Sequence, residues 1–269
     1  MNLVIGTSCY SPRERERMPD FLDSLSRAVR KYGRKTTIVI VLNGEEKDVT
    51  RYKIDMLIEK YFYDMEFLEF DIRAIAYEGK LLYSSVMYNR VSIAREHCDE
   101  DSFYWNADND YVFNPYCFSL THKIFEENKH VHYVSMLKPV IPVDMQYKIV
   151  NLSGVEFIPV PSMLGGAFAA RWNVFKAHTD AYSQIDRATS IKPGKQDTMF
   201  DKGFFQFVCQ KQMGTMELVY SLHRVSLVQH CNRTSSYLDA KHEQSMFEHA
   251  YGMNFDPLVN PFKLFGIGE

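Results

Sequence analysis

The chain has 269 residues, 46% hydrophobic and 24% charged, ordinary globular values with enough length to bury a sizeable core in one large domain. A formal net charge of −3 supplies no overall basic field, which disfavours a protein that grips nucleic acid mainly through phosphates but leaves room for a local basic patch. The five cysteines include no C-x-x-C pair, which argues against a thiolate zinc site or a disulfide framework and fits a reducing compartment.

Met1 leads directly into a strand with no signal-peptide pattern, and the longest aliphatic stretch, Ile38 to Leu42, is far too short to span a bilayer. The expectation is a cytoplasmic protein. Leu3 to Ile5 reads as a strand ending at Gly6-Thr7-Ser8. The run Arg13, Arg15, Arg17, alternating with Glu14 and Glu16, reads as a solvated, self-compensating loop. Phe21, Leu22, Leu25, Ala28, Val29 and Tyr32 then recur at helical spacing.

Thr36 to Leu42 is a continuous β-branched run closed by Asn43-Gly44, the pattern of a strand buried on both faces of a parallel sheet. A helix over Val49 to Tyr61, a strand over Met65 to Phe70 and a helix over Leu81 to His97 follow. The aromatic strand Phe103-Tyr104-Trp105 runs into Asn106-Ala107-Asp108-Asn109-Asp110. Beyond it come a helix around Tyr116 to Glu127, a strand over Val131 to Leu137, and a proline-containing excursion from Lys138 to Pro161 with poor periodicity.

Gly165-Gly166 leads into Ala167 to Lys176, either as a tight turn before a helix or as backbone open to close ligand approach. A helix from about Thr198 to Met213 stops at Gly214 before a strand over Met216 to Leu222. The pattern is α/β, a mostly parallel, doubly wound sheet, and such sheets bind ligands beyond the carboxyl ends of their strands. The expected organisation is one domain over 1–230 with a C-terminal helical extension over 231–269, including a helix from Leu238 to Tyr251.

In an extended backbone residues two apart point the same way, so Asp108 and Asp110 are expected to present two carboxylates to one side. Two hard oxygen ligands suit Mg²⁺ or Mn²⁺, which take the rest of their shell from water and substrate phosphates. Read alone, the triplet also fits a polar turn or helix cap. Neither Gly79-Lys80 nor Gly194-Lys195 belongs to a Walker loop, and His242-Glu243 lacks the second histidine of a zinc protease.

Over roughly residues 3 to 230, the order of these motifs resembles the GT-A glycosyltransferases, particularly family 2. Ala107-Asp108-Asn109-Asp110 resembles their D-x-D motif, and Gly165-Gly166-Ala167-Phe168 with Arg171 and Phe175 resembles their Gly-Gly-aromatic segment. The resemblance implies a GT-A (Rossmann-like) fold and transfer of a sugar from a nucleotide-sugar donor, with a UDP-sugar favoured, to an acceptor the sequence does not name. It further implies nucleotide contacts from Thr7, Ser8, Cys9 and Asn43, and diphosphate contacts from Lys80, Asn89 and Arg90. By the same resemblance Asp108, Gly165 and Gly166 are expected to face the donor, and Asp108, Asp110 and His230 to hold Mn²⁺ or Mg²⁺, with His223 the competitor to His230.

Asp197 falls where inverting members carry the catalytic base, although the glutamate usual before it is Gln196 here. Inversion is the expectation. A retaining GT-A enzyme, a sugar nucleotidyltransferase, which normally carries a Gly-rich, Arg-containing loop after the first strand, and a catalytically inactive nucleotide- or carbohydrate-binding module are the alternatives.

Overall fold

The structure, a computed structural model, describes residues 1–10, 16–44, 46–75, 83–139, 146–161, 167–188, 209–230 and 255–269. The opening βαβ units follow the sequence expectation. Strand β1 (Leu3–Tyr10) is followed by helix α1 (Met18–Tyr32), β2 (Thr36–Asn43), α2 (Lys47–Phe62), β3 (Leu68–Ala74) and α3 (Tyr83–Ala94). Helix α1 ends where Gly33 adopts φ 64° and its N–H bonds the Val29 carbonyl, a left-handed stop that glycine makes at no steric cost.

Next come β4 (Phe103–Ala107), β5 (Tyr111–Phe113), α4 (Cys117–Glu127), β6 (Tyr133–Ser135), β7 (Val150–Leu152), β8 (Val155–Val160), β9 (Ala167–Arg171) and α5 (Trp172–Ala188). The described chain closes with β10 (Val219–Leu222), β11 (Val228–His230) and the short α6 (Pro261–Phe265). Among the described residues, nine strands form one sheet in the order β3-β2-β1-β4-β9-β6-β10-β8-β7, and β11 pairs β5 in a separate ribbon. β3, β2, β1 and β4 are mutually parallel, while β9 and β8 run against the rest.

Both faces of the sheet are covered, and strand alternation sorts the side chains between them. Leu3 and Ile5 of β1, Ile38, Ile40 and Leu42 of β2, and Phe103 and Trp105 of β4 pack into one core with α1 and α4. Val4, Val39, Val41 and Tyr104 face the second core with Met87 and Val91 of α3 and Phe175 of α5.

Two sequence expectations change. The segment after Gly166 is a buried central strand, β9, before the helix begins at Trp172, and its alanines let it pass between β4 and β6. The poorly periodic excursion contains the β7–β8 hairpin, turned by Ser153 (φ 54°) and Gly154 (φ 85°), the left-handed pair that a two-residue hairpin loop requires. At the C-terminus, Asn114 Nδ2 donates to the carbonyls of Asp256 and Val259, both at 2.9 Å, and Phe262 is buried, so the last described segment packs on the same body. The expected helix over Leu238 to Tyr251 lies outside the described residues. Among those described, no helix is long and apolar enough to cross a membrane.

Candidate functional site

β4 runs parallel to β1 with Asn106 opposite Gly6, so the chain leaves the sheet at Asp108 on the carboxyl edge of the parallel strands. There it turns rather than continuing extended. The Tyr111 N–H bonds the Asp108 carbonyl at 3.3 Å, a turn that corrects the expectation of an extended Asp108 to Asp110 segment. Asn109 is buried and leans toward Met18 of α1, while the carboxylates of Asp108 and Asp110 lie close enough for the charge of one to act on the other.

β5 starts at once from this turn and pairs antiparallel with β11, placing His230 opposite Tyr111. His230 Nε2 lies 3.0 Å from Asp110 Oδ2, and its ring meets the Tyr111 ring edge to face. His223, by contrast, faces Glu156 at 3.1 Å, away from this turn.

Beneath the turn stands Arg90 of α3, with no exposed side-chain surface. It donates to Asp108 Oδ1 from both terminal nitrogens at 3.1 Å, to the Ala107 carbonyl at 3.1 Å and to the Gly6 carbonyl at 3.4 Å. The structure therefore places Arg90 under the turn, as a buried counter-charge to Asp108. Room for it exists because residue 6 is glycine: a Cβ there would stand 2.2 Å from Tyr104 Oη and 2.8 Å from Arg90 Cγ.

Arg17 also arrives here. It sits at the N-cap of α1, and its guanidinium lies 3.8 Å from Asp110 Oδ2 with the side chain only 16% exposed, which corrects the reading of that arginine as solvated. Arg13 and Arg15 lie outside the described residues. The spacing of Arg17 just before a Pro-started helix was the missed signal, masked by the alternating glutamates.

The electrostatics follow from these contacts. Burial raises the Asp108 carboxyl above its ordinary value against the pull of Arg90, and the charge of Asp110 adds to the rise. Burial also opposes ionisation of Asp110, but the hydrogen bond and charge of His230, with Arg17, outweigh it and hold that carboxyl below its ordinary value. For His230 burial favours the neutral ring, yet the bond and charge of Asp110 prevail and raise it.

Among the described residues no group of three His, Cys, Asp or Glu side chains is assembled as a ready metal cluster. Asp110 Oδ1 is nevertheless buried with no hydrogen-bond partner among the described residues, an arrangement that suits a cation.

Thr7 and Asn43 are buried, and Thr7 Oγ1 and both side-chain heteroatoms of Asn43 lack hydrogen-bond partners among the described residues. Strand alternation puts the two on opposite faces, with Ser8 on the Asn43 side. Cys9 packs in the core, and Asn89 is half-buried on α3. Lys80, Gly165, Gly166 and Asp197 lie outside the described residues.

No family model matches the chain, and no curated protein does either. Among solved structures, the chain is similar to a nucleoside-diphosphate-sugar pyrophosphorylase from Vibrio cholerae at 10% identity, with 91% of this chain and 98% of that one covered and a TM-score of 0.47.

Proposed function

We propose that the chain is a cation-dependent transferase acting on a nucleoside-diphosphate sugar, passing the sugar to an acceptor hydroxyl with the nucleoside diphosphate as leaving group. The observation behind this reading is the turn that gathers Asp108, Asp110 and His230 at the carboxyl edge of parallel strands, with Asp110 Oδ1 buried and without a hydrogen-bond partner among the described residues. A carboxylate oxygen stripped of water is costly unless something positive takes it. Asp110 through Oδ1, together with Asp108 and His230, would hold Mg²⁺ or Mn²⁺, ions that need only one or two protein carboxylates when phosphates complete the shell. When bound, the ion neutralises charge developing on a departing diphosphate.

The chain's own groups divide the remaining work. Arg90 fixes the turn from below, Arg17 is placed to meet phosphate oxygens, and Ser8 with Asn43 offers polar groups at the sheet edge for the nucleoside. Asp197 is the assigned base, taking the proton from the acceptor hydroxyl as the new glycosidic bond forms.

The approach of Arg17 favours a second reading. An arginine delivered from the loop after the first strand is suited to the phosphates of a nucleoside triphosphate, as in nucleotidyl transfer to a sugar phosphate with release of pyrophosphate. The Vibrio cholerae protein is named for that chemistry.

One experiment tests both. The protein with Mn²⁺ is offered a panel of nucleotide sugars with glycosides, sugar alcohols and water as acceptor hydroxyls, scored for nucleoside diphosphate, and a panel of nucleoside triphosphates with sugar 1-phosphates, scored for pyrophosphate. Nucleoside diphosphate that disappears in Asp110→Ala supports glycosyl transfer, whereas pyrophosphate that disappears in the same variant supports nucleotidyl transfer. Neither product from any pair, with the fold intact, overturns the catalytic reading.

A further inference from the structure

Helix α2 carries apolar side chains on two opposite sides. Thr50, Ile54 and Phe62 are buried and Leu57, Ile58 and Tyr61 pack on the same core, which accounts for the inward side. On the outward side Val49, Tyr52, Met56 and, at the C-cap, Tyr63 stand 48, 66, 55 and 80% exposed. Four of the eleven exposed large hydrophobic side chains among the described residues thus share one helix face, and a gathered patch marks a contact surface where scattered ones do not. The helix lies at the β3 end of the sheet, where Phe62 meets Phe70 and Arg51 donates to the Ile72 carbonyl at 2.8 Å; among the described residues no strand lies beyond β3.

The spacing of this face is specific. Val49, Tyr52, Met56, Glu59 and Tyr63 are separated by three, four, three and four residues, the seam of a helix that packs along another helix. The exposed positions flanking the seam sort by charge, with Asp48 and Asp55 on one side and Lys53 and Lys60 on the other. Each aspartate precedes its lysine by five residues, the offset at which flanking charges of two parallel helices meet. An antiparallel pair would set lysines against lysines, so the charge order selects the parallel arrangement.

Two of these flanking groups have contacts within the chain that leave them able to pair. Asp55 accepts from Arg51 Nε at 3.0 Å, but its side chain is 50% exposed and a carboxylate has lone pairs for a second donor. Lys60 lies over the Tyr61 ring at 4.8 Å and is exposed. Glu59 is the charged residue within the seam, and in the parallel arrangement Lys60 of the second copy lies beside it. An anionic bilayer is a poorer fit for this face, since Asp48, Asp55 and Glu59 would meet its headgroups.

We infer that this face of α2 pairs in parallel with the same face of a second copy of the chain, about a two-fold axis along the helix. Because α2 returns the chain between the parallel strands β2 and β3, its axis follows theirs. The pairing therefore sets the carboxyl edges of both sheets, with their Asp108 turns, at the same end of the dimer. The inference stands on α2 and does not depend on the chemistry at that turn. A seam of about two heptads is smaller than a standard interface, which makes the dimer weak and concentration-dependent.

The test is analytical ultracentrifugation of the intact chain from about 1 to 200 µM, the range a weak interface requires. Wild type is expected to pass from monomer to dimer. Met56→Lys places a charge in the middle of the seam, and Lys53→Glu with Lys60→Glu makes both flanks acidic; each is expected to weaken the dimer about tenfold or more. These side chains are exposed, so circular dichroism is expected to be unchanged. Direction is read from Val49→Cys and Tyr63→Cys, oxidised with copper phenanthroline against wild type as background. In a parallel pair each new thiol faces its own copy, and each variant is expected to yield a covalent dimer by itself.

A chain that stays monomeric throughout the range, or a dimer that both charge variants leave intact, overturns the inference. Covalent dimer formed only when Val49→Cys is mixed with Tyr63→Cys shows an antiparallel pair and overturns it as well. So does a monomer that floats with anionic vesicles while Met56→Lys does not, a result that assigns the face to a bilayer.

Discussion

His230 Nε2 and Asp110 Oδ2 sit 3.0 Å apart although 120 residues separate them in sequence, because the β5–β11 ribbon sets His230 opposite Tyr111. The ribbon fixes one edge of the candidate site from a distant part of the chain. His230→Gln keeps a side chain of similar reach but removes the imidazole. It is expected to weaken Mn²⁺ binding in the presence of a nucleoside diphosphate about tenfold, the usual scale for losing one supporting group, while leaving the circular dichroism spectrum unchanged. Unchanged Mn²⁺ affinity would place His230 outside the site.

Gly6 carries a different kind of constraint. A methyl group there would collide with Tyr104 Oη and Arg90 Cγ, so Gly6→Ala is expected to cost about 1 to 3 kcal/mol, read as a lower urea midpoint. Tyr104→Phe removes the nearest obstructing atom, and the double variant should therefore recover part of that loss. Strict additivity of the two losses would show that the tyrosine hydroxyl is not the obstacle.

Arg171 is a stabilising residue by its contacts. It donates to the carbonyls of Phe125 and Asn128 at the end of α4 and to that of Val131 at 2.8 Å, with the guanidinium 5.0 Å above the Phe125 ring. Arg171→Ala removes a donor from the Phe125 and Val131 carbonyls, while that of Asn128 keeps the Val131 N–H, and a loss of about 1 to 3 kcal/mol is expected with turnover per folded molecule unchanged. A fall in turnover at full stability would assign Arg171 to the chemistry instead.

His122 gives the fold a pH dependence. Arg34 can only donate, so His122 Nε2 must accept at 2.9 Å and Nδ1–H donates to Tyr32 Oη at 2.8 Å; a protonated ring would face Arg34 with a second donor. Burial and then the charge of Arg34 depress this histidine to about 4, against the opposing charge of Glu126. The folded state therefore binds fewer protons than the unfolded chain between about pH 6.5 and 4, so stability is full above that window and lost as pH falls through it. Wild type should lose about 2 kcal/mol more than His122→Gln between pH 7 and pH 5, measured by urea denaturation. Parallel pH profiles for the two proteins would remove His122 as the cause.

Much of this architecture is legible in the sequence, and the gaps have physical reasons. The β-branched run Thr36 to Leu42 and the helical spacing from Phe21 to Tyr32 announce themselves because burial imposes a single period on each. β9 does not, since three alanines, one phenylalanine and a closing arginine have neither alternation nor β-branching. The Ser153-Gly154 dipeptide was the available sign of the β7–β8 hairpin, but its strands are three and six residues long and alternate poorly.

At the site, the sequence pairs Asp108 with Asp110 and proposes His230 over His223 as ligands; the structure sets His230 against Asp110 and His223 against Glu156. Arg17 was hidden at the end of the alternating Arg-Glu run, and the inward orientation of Arg90 depends on a glycine and a tyrosine that lie far from it in sequence. Sequence patterns carry periodicity well; they do not carry which way a long charged side chain turns.

The most direct test is ³¹P hyperfine coupling to Mn²⁺ bound in the presence of a nucleoside diphosphate, measured on wild type and Asp110→Ala. Wild type is expected to show phosphorus coupled to the bound ion, and Asp110→Ala to lose both the bound ion and the coupling while remaining folded. Coupling that persists unchanged in Asp110→Ala, or an ion bound to wild type with no phosphorus beside it, would contradict a cation held by the Asp108 turn against a diphosphate.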